Sequence, residues 1–153
     1  MWLRLALVGS LLGFVTAGAL ADESADRAKL AGTWQPKAGE KSDYGTWTLA
    51  DDNGSIRITQ ESNGQKLAQY ECNTMGKECA VKESGHAAKV SMWYNGPKLV
   101  EMCTRGNEVV KRRFQVTDGD VLELEVIPIA PAGKSEVIHM GRVQASADRK
   151  AQQ

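Results

Sequence analysis

Histidine is scarce in this chain: His86 and His139 are the two in 153 residues. Neutral-pH acid–base chemistry therefore has few side chains to draw on. The sequence also contains no G-x-S-x-G, no H-E-x-x-H and no phosphate-binding loop, which removes the usual signatures of serine hydrolases, zinc peptidases and nucleotide enzymes. His139 alternates with Ile138 and Met140, which places it on the outer face of a strand or beside a packed turn, and His86 follows Ser84-Gly85 in a loop. No catalytic residue and no cofactor are assigned.

Net charge is missing as well, with 19 basic and 19 acidic residues. Nothing in the bulk charge attracts nucleic acid. Basic side chains gather locally at Lys111, Arg112 and Arg113, but on a strand these three alternate between faces and do not form a phosphate track.

Long apolar runs are absent after the first 21 residues. Met1 to Ala21 has a positive start at Arg4, an apolar core from Leu5 to Leu20 and a small-x-small ending at Ala19-Leu20-Ala21, the pattern of a signal peptide cleaved after Ala21. Gly9, Ser10, Gly13, Thr16 and Gly18 interrupt the run, which is short for a ~20-residue membrane span. No cysteine follows the cleavage point, so nothing supports a lipoprotein. The expectation is an exported protein, periplasmic or secreted, with no membrane span after cleavage. Asp22 to Gln153 leaves 132 residues with 18 basic and 19 acidic side chains, a balance of about −1. That length suits one domain over 22–143, followed by a polar tail over 144–153. No feature specifies an oligomeric state.

Cysteine is sparse and odd in number: Cys72, Cys79 and Cys103. In an oxidising compartment, Cys72 and Cys79 can bridge across the turn-like segment Asn73 to Glu78, with Cys72–Cys103 as the rival pairing and one thiol left over in either case. Leu99, Val100 and Met102 around Cys103 suggest a buried small hydrophobe. The three cysteines with His86 lack the C-x2-C knuckle of a strong zinc site, so no metal is assigned.

Turn signals dominate the rest. Asp52-Asn53-Gly54, Asn63-Gly64, Asn95-Gly96, Arg105-Gly106-Asn107 and Asp118-Gly119-Asp120 separate strand-length runs. These runs cover 46–50, 55–60, 66–72, 88–94, 98–104, 108–117, 121–128 and 136–143, with Thr33-Trp34 before them. Ile56 and Ile58 oppose Arg57 and Thr59, while Leu122, Leu124 and Val126 oppose Glu123 and Glu125. One wet and one dry face is the antiparallel pattern. The spacing predicts an all-β, antiparallel up-and-down barrel of eight or nine strands, with a short N-terminal helix capped by Asp22 or Ser24, running through Ala25 to Leu30 and ended by Gly32. A two-sheet sandwich is the alternative, its one candidate long connection lying at Pro128 to Lys134.

Leu30-Ala31-Gly32-Thr33-Trp34 opens the first strand and resembles the lipocalin-like (calycin-type) barrels, whose first strand carries G-x-W. In that family the Trp closes one end of the barrel under a basic side chain from the last strand. The resemblance implies that role for Trp34 and for Arg142 of His139-Met140-Gly141-Arg142. Gly45-Thr46-Trp47 is a second G-x-W. The stretch from Gly32 through Lys41-Ser42-Asp43-Tyr44-Gly45 is also similar to the opening of small secreted bacterial proteins of this general type. The family's fold suggests a binding function.

Ligand contact requires polar groups that point inward among apolar ones. Arg112 shares a face with Val110, Phe114 and Val116, where it could hold the carboxylate of an amphipathic ligand, pair with an internal Glu such as Glu101, or reach a rim. Tyr70, Met92, Tyr94 and Phe114 would line the same interior. The function so read is a non-enzymatic, lipocalin-like barrel that binds a small apolar or amphipathic ligand. The alternatives are an envelope or secreted interaction module with a filled barrel, and an enzyme acting on a small hydrophobic substrate.

Overall fold

The structure, a computed structural model, describes residues 18–117 and 120–144. Most of the expected signal peptide and of the polar tail therefore lies outside the described residues. One helix, α1 (Gly18–Ala28), precedes ten strands: β1 (Gly32–Pro36), β2 (Thr46–Asp52), β3 (Ser55–Ser62), β4 (Gln65–Asn73), β5 (Cys79–Glu83), β6 (His86–Asn95), β7 (Lys98–Arg105), β8 (Glu108–Thr117), β9 (Val121–Ala130) and β10 (Glu136–Arg142). Each strand pairs antiparallel with its sequence neighbours, and β1 pairs with both β2 and β10, so the sheet closes on itself and has no free edge.

The strand count is ten rather than eight or nine, because Cys79–Glu83 is a strand that its sequence conceals. It carries two charged residues in five, and its ladder to β4 contains a single registered pair, Ala68 with Glu83. The helix also differs from the expected Ala25 to Leu30: it begins at Gly18 and ends at Ala28, with Leu30 in the turn that follows. The expected long connection after Pro128 is short instead, because β9 continues to Ala130 and β10 resumes at Glu136. That leaves no room for a sandwich crossover.

Local chemistry sets the hairpins. Asn53-Gly54 and Asn63-Gly64 hold positive φ at both residues (49° and 92°, 51° and 74°), the backbone that a tight two-residue hairpin requires. Between such turns the alternation drives one face inward: Ile56 and Ile58 are buried, whereas Arg57 reaches the outer surface to pair with Glu71 of β4 at 2.8 Å.

The chain direction defines two ends. The helix end gathers α1 and the turns after β2, β4, β6 and β8. The mouth end gathers segment 37–45 and the turns after β3, β5, β7 and β9. Toward the helix end the interior is solid, with Trp34, Leu99, Phe114, Leu122, Leu124 and Met140 fully buried, each large side chain contributing roughly 1.5–3 kcal/mol by leaving water. Inward-facing Gln60, Val81, Val110 and Val126, nearer the mouth, are only partly buried. The wall is weakest between β4 and β5, where the Cys72–Cys79 disulfide, with Cα atoms 6.1 Å apart, supplies a covalent link at the helix end of a nearly unpaired seam.

Candidate functional site

Arg142 organises the helix end. Its Cα lies in register with that of Trp34, and its guanidinium lies 4.1 Å from the Trp34 ring. It donates to the carbonyl oxygens of Lys29 (2.8 Å) and Ala31 (2.7 Å) just beyond α1, tying the turn after the helix to the last strand. Asp120 accepts from its Nε and Nη2 at 2.9 and 3.0 Å. The Trp34 indole donates to the Leu30 carbonyl at 3.0 Å. Gly32 is constrained by the same cluster: its φ is 144°, and a Cβ there would collide with the Arg142 guanidinium. Trp34, not Trp47, is thus the tryptophan beneath the last-strand arginine.

The mouth end is built differently. The inward face of β7 presents Leu99, Glu101 and Cys103, and that of β8 presents Val110, Arg112 and Phe114, with Glu101 opposite Arg112. Arg112 donates through Nη1 to Glu101 Oε1 and through Nη2 to Glu83 Oε1, both at 2.8 Å. The Tyr70 hydroxyl donates to the same Glu101 Oε1 at 2.9 Å. The guanidinium also faces the Trp47 ring at 5.5 Å, and Trp47 packs on Phe114 with centroids 5.5 Å apart. Glu83 and Glu101 are the two buried charged residues at the lowest exposures described, 8% and 0%.

This network is incompletely satisfied. Glu101 Oε2 has no hydrogen-bond partner among the described residues, and Glu83 Oε2 is met by the Cys103 thiol at 3.5 Å, a weak donor. Burial lifts the Cys103 thiol to about 12, with the Glu83 charge raising it further than Arg112 lowers it. Tyr70 is held well above the ordinary phenol range, again by burial first and by Glu101 next. For Arg112, burial alone would weaken the protonated state; Glu101 and Glu83 reverse that and raise it. Cys103 is therefore a protonated, unreactive thiol, and Arg112 a permanent cation.

Glu83, Cys103, Val110 and Arg112 line a cavity of about 180 Å³, with Ser84, Arg105 and Glu108 at its rim. The same rim residues border a surface groove of about 600 Å³ that reaches His86 and Asn107. On the opposite side of the mouth, segment 37–45 folds inward. The Tyr44 carbonyl accepts from the Trp47 indole at 2.9 Å and from Gln60 at 3.2 Å, while its hydroxyl donates to Glu136 at 2.7 Å. Lys41 pairs with the same Glu136.

Of the residues read as ligand-lining, Arg112 borders the cavity. Tyr70 lies behind it through Glu101, and Met92 and Phe114 are fully buried in the packed interior. Tyr94 lies toward the helix end beneath the Arg27 guanidinium, 4.6 Å from its ring. Glu83 escaped the sequence reading, whereas Cys103, read as a buried small hydrophobe, is buried and unbridged. Glu83 belongs to the concealed strand, whereas the position of Cys103 followed from its alternation with Glu101 and Leu99. His139 faces outward, its Nδ1 2.9 Å from Glu40. Cys72 and Cys79 are joined to each other and so cannot ligate a metal, and no group of three or more metal-type ligands converges among the described residues. No described helix is long and apolar enough to cross a membrane.

No protein-family model and no curated protein matches the sequence. Solved structures do match the fold. A fatty acid binding protein of Schistosoma mansoni in complex with arachidonic acid aligns over 78% of this chain and 99% of its own, at 16% identity and a TM-score of 0.64. A structure described as the REP1-NXSQ fatty acid transporter aligns over 76% and 98%, at 15% identity and 0.62. Secretory abundant heat soluble protein 4 from Ramazzottius varieornatus aligns over 76% and 96%, at 13% identity and 0.61. The fold is a calycin-type, ten-stranded barrel; at these identities the likeness extends to the fold alone.

Proposed function

We propose that this chain is an exported, non-enzymatic binding barrel that takes a small amphipathic molecule at its mouth end. The observation that carries the reading is the cavity whose inner wall is a buried, incompletely hydrogen-bonded polar network. Buried polar groups are costly unless satisfied, and a network with acceptors left over can be completed by a bound donor. The fold neighbours described as a fatty acid binding protein and a fatty acid transporter support a binding role for this architecture. A Cys72–Cys79 disulfide supports an oxidising compartment, in keeping with a signal peptide ending at Ala21. At about 180 Å³ the cavity lies below the ~300 Å³ lower bound of ordinary ligand pockets, so the bound part is small or the rest of the molecule lies in the groove outside.

The solid core beneath the network supports a second reading, a filled barrel that meets a protein or glycan through its loops. Native mass spectrometry of the protein purified from its host, beside a denatured sample, separates the two. A small molecule that co-purifies and is lost on denaturation is the expected result. A bare mass that stays bare after incubation with a panel of C10 amphiphiles would favour the filled barrel.

A further inference from the structure

We infer that the mouth cavity selects an amphipathic ligand whose buried end is a protonated amine, and that it rejects the carboxylate head group of a fatty acid. The inference rests on the binding-barrel reading above and names the ligand class of the same site.

An arginine inside such a barrel would suit a carboxylate only if its donors were free to turn toward the ligand. Here two of the five N–H donors of Arg112 are taken at 2.8 Å, one by each glutamate, which holds the guanidinium turned toward them. One cation against two carboxylates leaves the cluster with a formal charge of −1. A carboxylate entering the cavity would meet that excess charge in a poorly screened setting, where like charges repel strongly. Protonated Tyr70 and Cys103 report the same field: for each, the neighbouring glutamate acts more strongly than Arg112.

The hydrogen-bond inventory points the same way. The atoms without adequate partners are acceptors, Glu101 Oε2 with none among the described residues and Glu83 Oε2 with a thiol at 3.5 Å. An ammonium group carries three donors and no acceptor, so from the cavity it can complete Glu83 Oε2, and its charge brings the cluster, with the deeper Glu101 included, to neutrality. An alcohol supplies one donor and no charge; a carboxylate supplies neither. Val110, which borders the cavity beside Arg112, gives an apolar surface against which the first methylenes of the ligand can lie.

The test compares three probes of equal chain length, decylamine, decanol and decanoate, by isothermal titration calorimetry at pH 7 below their aggregation concentrations. The protein is used as its host produces it, with the disulfide intact. The expected order is decylamine tightest, at least tenfold over decanol, with decanoate weakest. Glu101→Gln keeps an acceptor for Arg112 and Tyr70 while removing one negative charge; it should weaken decylamine about tenfold and narrow the gap to decanoate. If that variant fails to fold, as judged by circular dichroism, the probe order on the unaltered protein and the companion variant Glu83→Gln decide. Decanol or decanoate binding as well as decylamine would overturn the head-group inference while leaving the binding barrel in place. Failure of all three probes to bind up to their solubility limits would overturn both.

Discussion

Arg142 at the helix end and Arg112 at the mouth end both face a tryptophan, at 4.1 Å from the Trp34 ring and 5.5 Å from the Trp47 ring. Their surroundings differ in kind. Arg142 joins backbone carbonyls and one exposed aspartate, and no buried side-chain acceptor beside it is without a partner among the described residues. Arg112 is enclosed between two buried glutamates, which together offer more acceptor capacity than it fills. Under the function proposed above, the contrast separates an arginine that assembles a fold from one that equips a site. At the helix end every polar contact closes a structural gap, whereas at the mouth the polar contacts leave one open.

The sharpest way to break this comparison is Arg112→Ala. Removing the cation leaves Glu83 and Glu101 buried without a counter-charge, and the expected loss of stability is about 3–5 kcal/mol in urea denaturation. Replacing the network with apolar residues, its phenol included (Tyr70→Phe, Glu83→Leu, Glu101→Leu, Arg112→Met), should cost less than about 1 kcal/mol while abolishing decylamine binding, since buried ion networks are frequently dispensable for stability. A cost below about 1 kcal/mol for Arg112→Ala alone would show that the network is too well solvated to be a buried site. Converting both Cys72 and Cys79 to serine comes next. Opening a loop of this size removes about 2.5 kcal/mol in the chain-entropy account, and amide exchange should rise first along β4 and β5, where the ladder has one registered pair.

Arg142→Ala should cost about 2 kcal/mol, combining a cation–π contact with hydrogen bonds to the turn after α1. Amide exchange should then accelerate over residues 22–31 while decylamine affinity stays within about twofold, which would confirm that the two arginines act independently. The smallest effect is that of pH. Hydrogen bonds from Arg142 hold the Asp120 carboxyl below its usual range, and Lys41 followed by Tyr44 does the same for Glu136. Carboxyls lowered in the folded state stabilise it above their unfolded values and lose that contribution as pH falls, so the thermal midpoint should decline modestly below about pH 4. Asp120→Asn should remove the helix-end share of the decline and leave the mouth-end share.

Much of the barrel was legible because alternation is visible wherever a strand has one wet face and one dry face. β3, β8 and β9 declare themselves through Ile56 and Ile58, Val110 and Phe114, and Leu122 and Leu124. β5 does not, because Lys82 and Glu83 make it polar and because a strand with one registered neighbour needs little of the usual pattern. Its omission concealed Glu83, and with it half of the charge facing Arg112. Glu101 was visible as a carboxylate set between Leu99 and Cys103 on an inward face. Depth was not visible: alternation assigns Tyr70, Met92 and Tyr94 to the inside but does not say how far along the barrel each lies. Tyr94 stands beneath Arg27 at the helix end, far from the mouth that Arg112 serves.

The pairing of β1 with β10 has a consequence for how the molecule can be attached to anything else. Gly32 enters the barrel and Arg142 leaves it on neighbouring strands and at the same end, the end closed by α1. A tether, a fusion partner or a surface linked through either flank would hang from that sealed side and leave the opposite opening unobstructed. The two flanks are also close enough for a short linker to join them. A rearranged chain that starts at Asn63-Gly64 should therefore rebuild the same barrel, since that turn lies on the wall of the mouth opposite Arg112 and carries no part of its network.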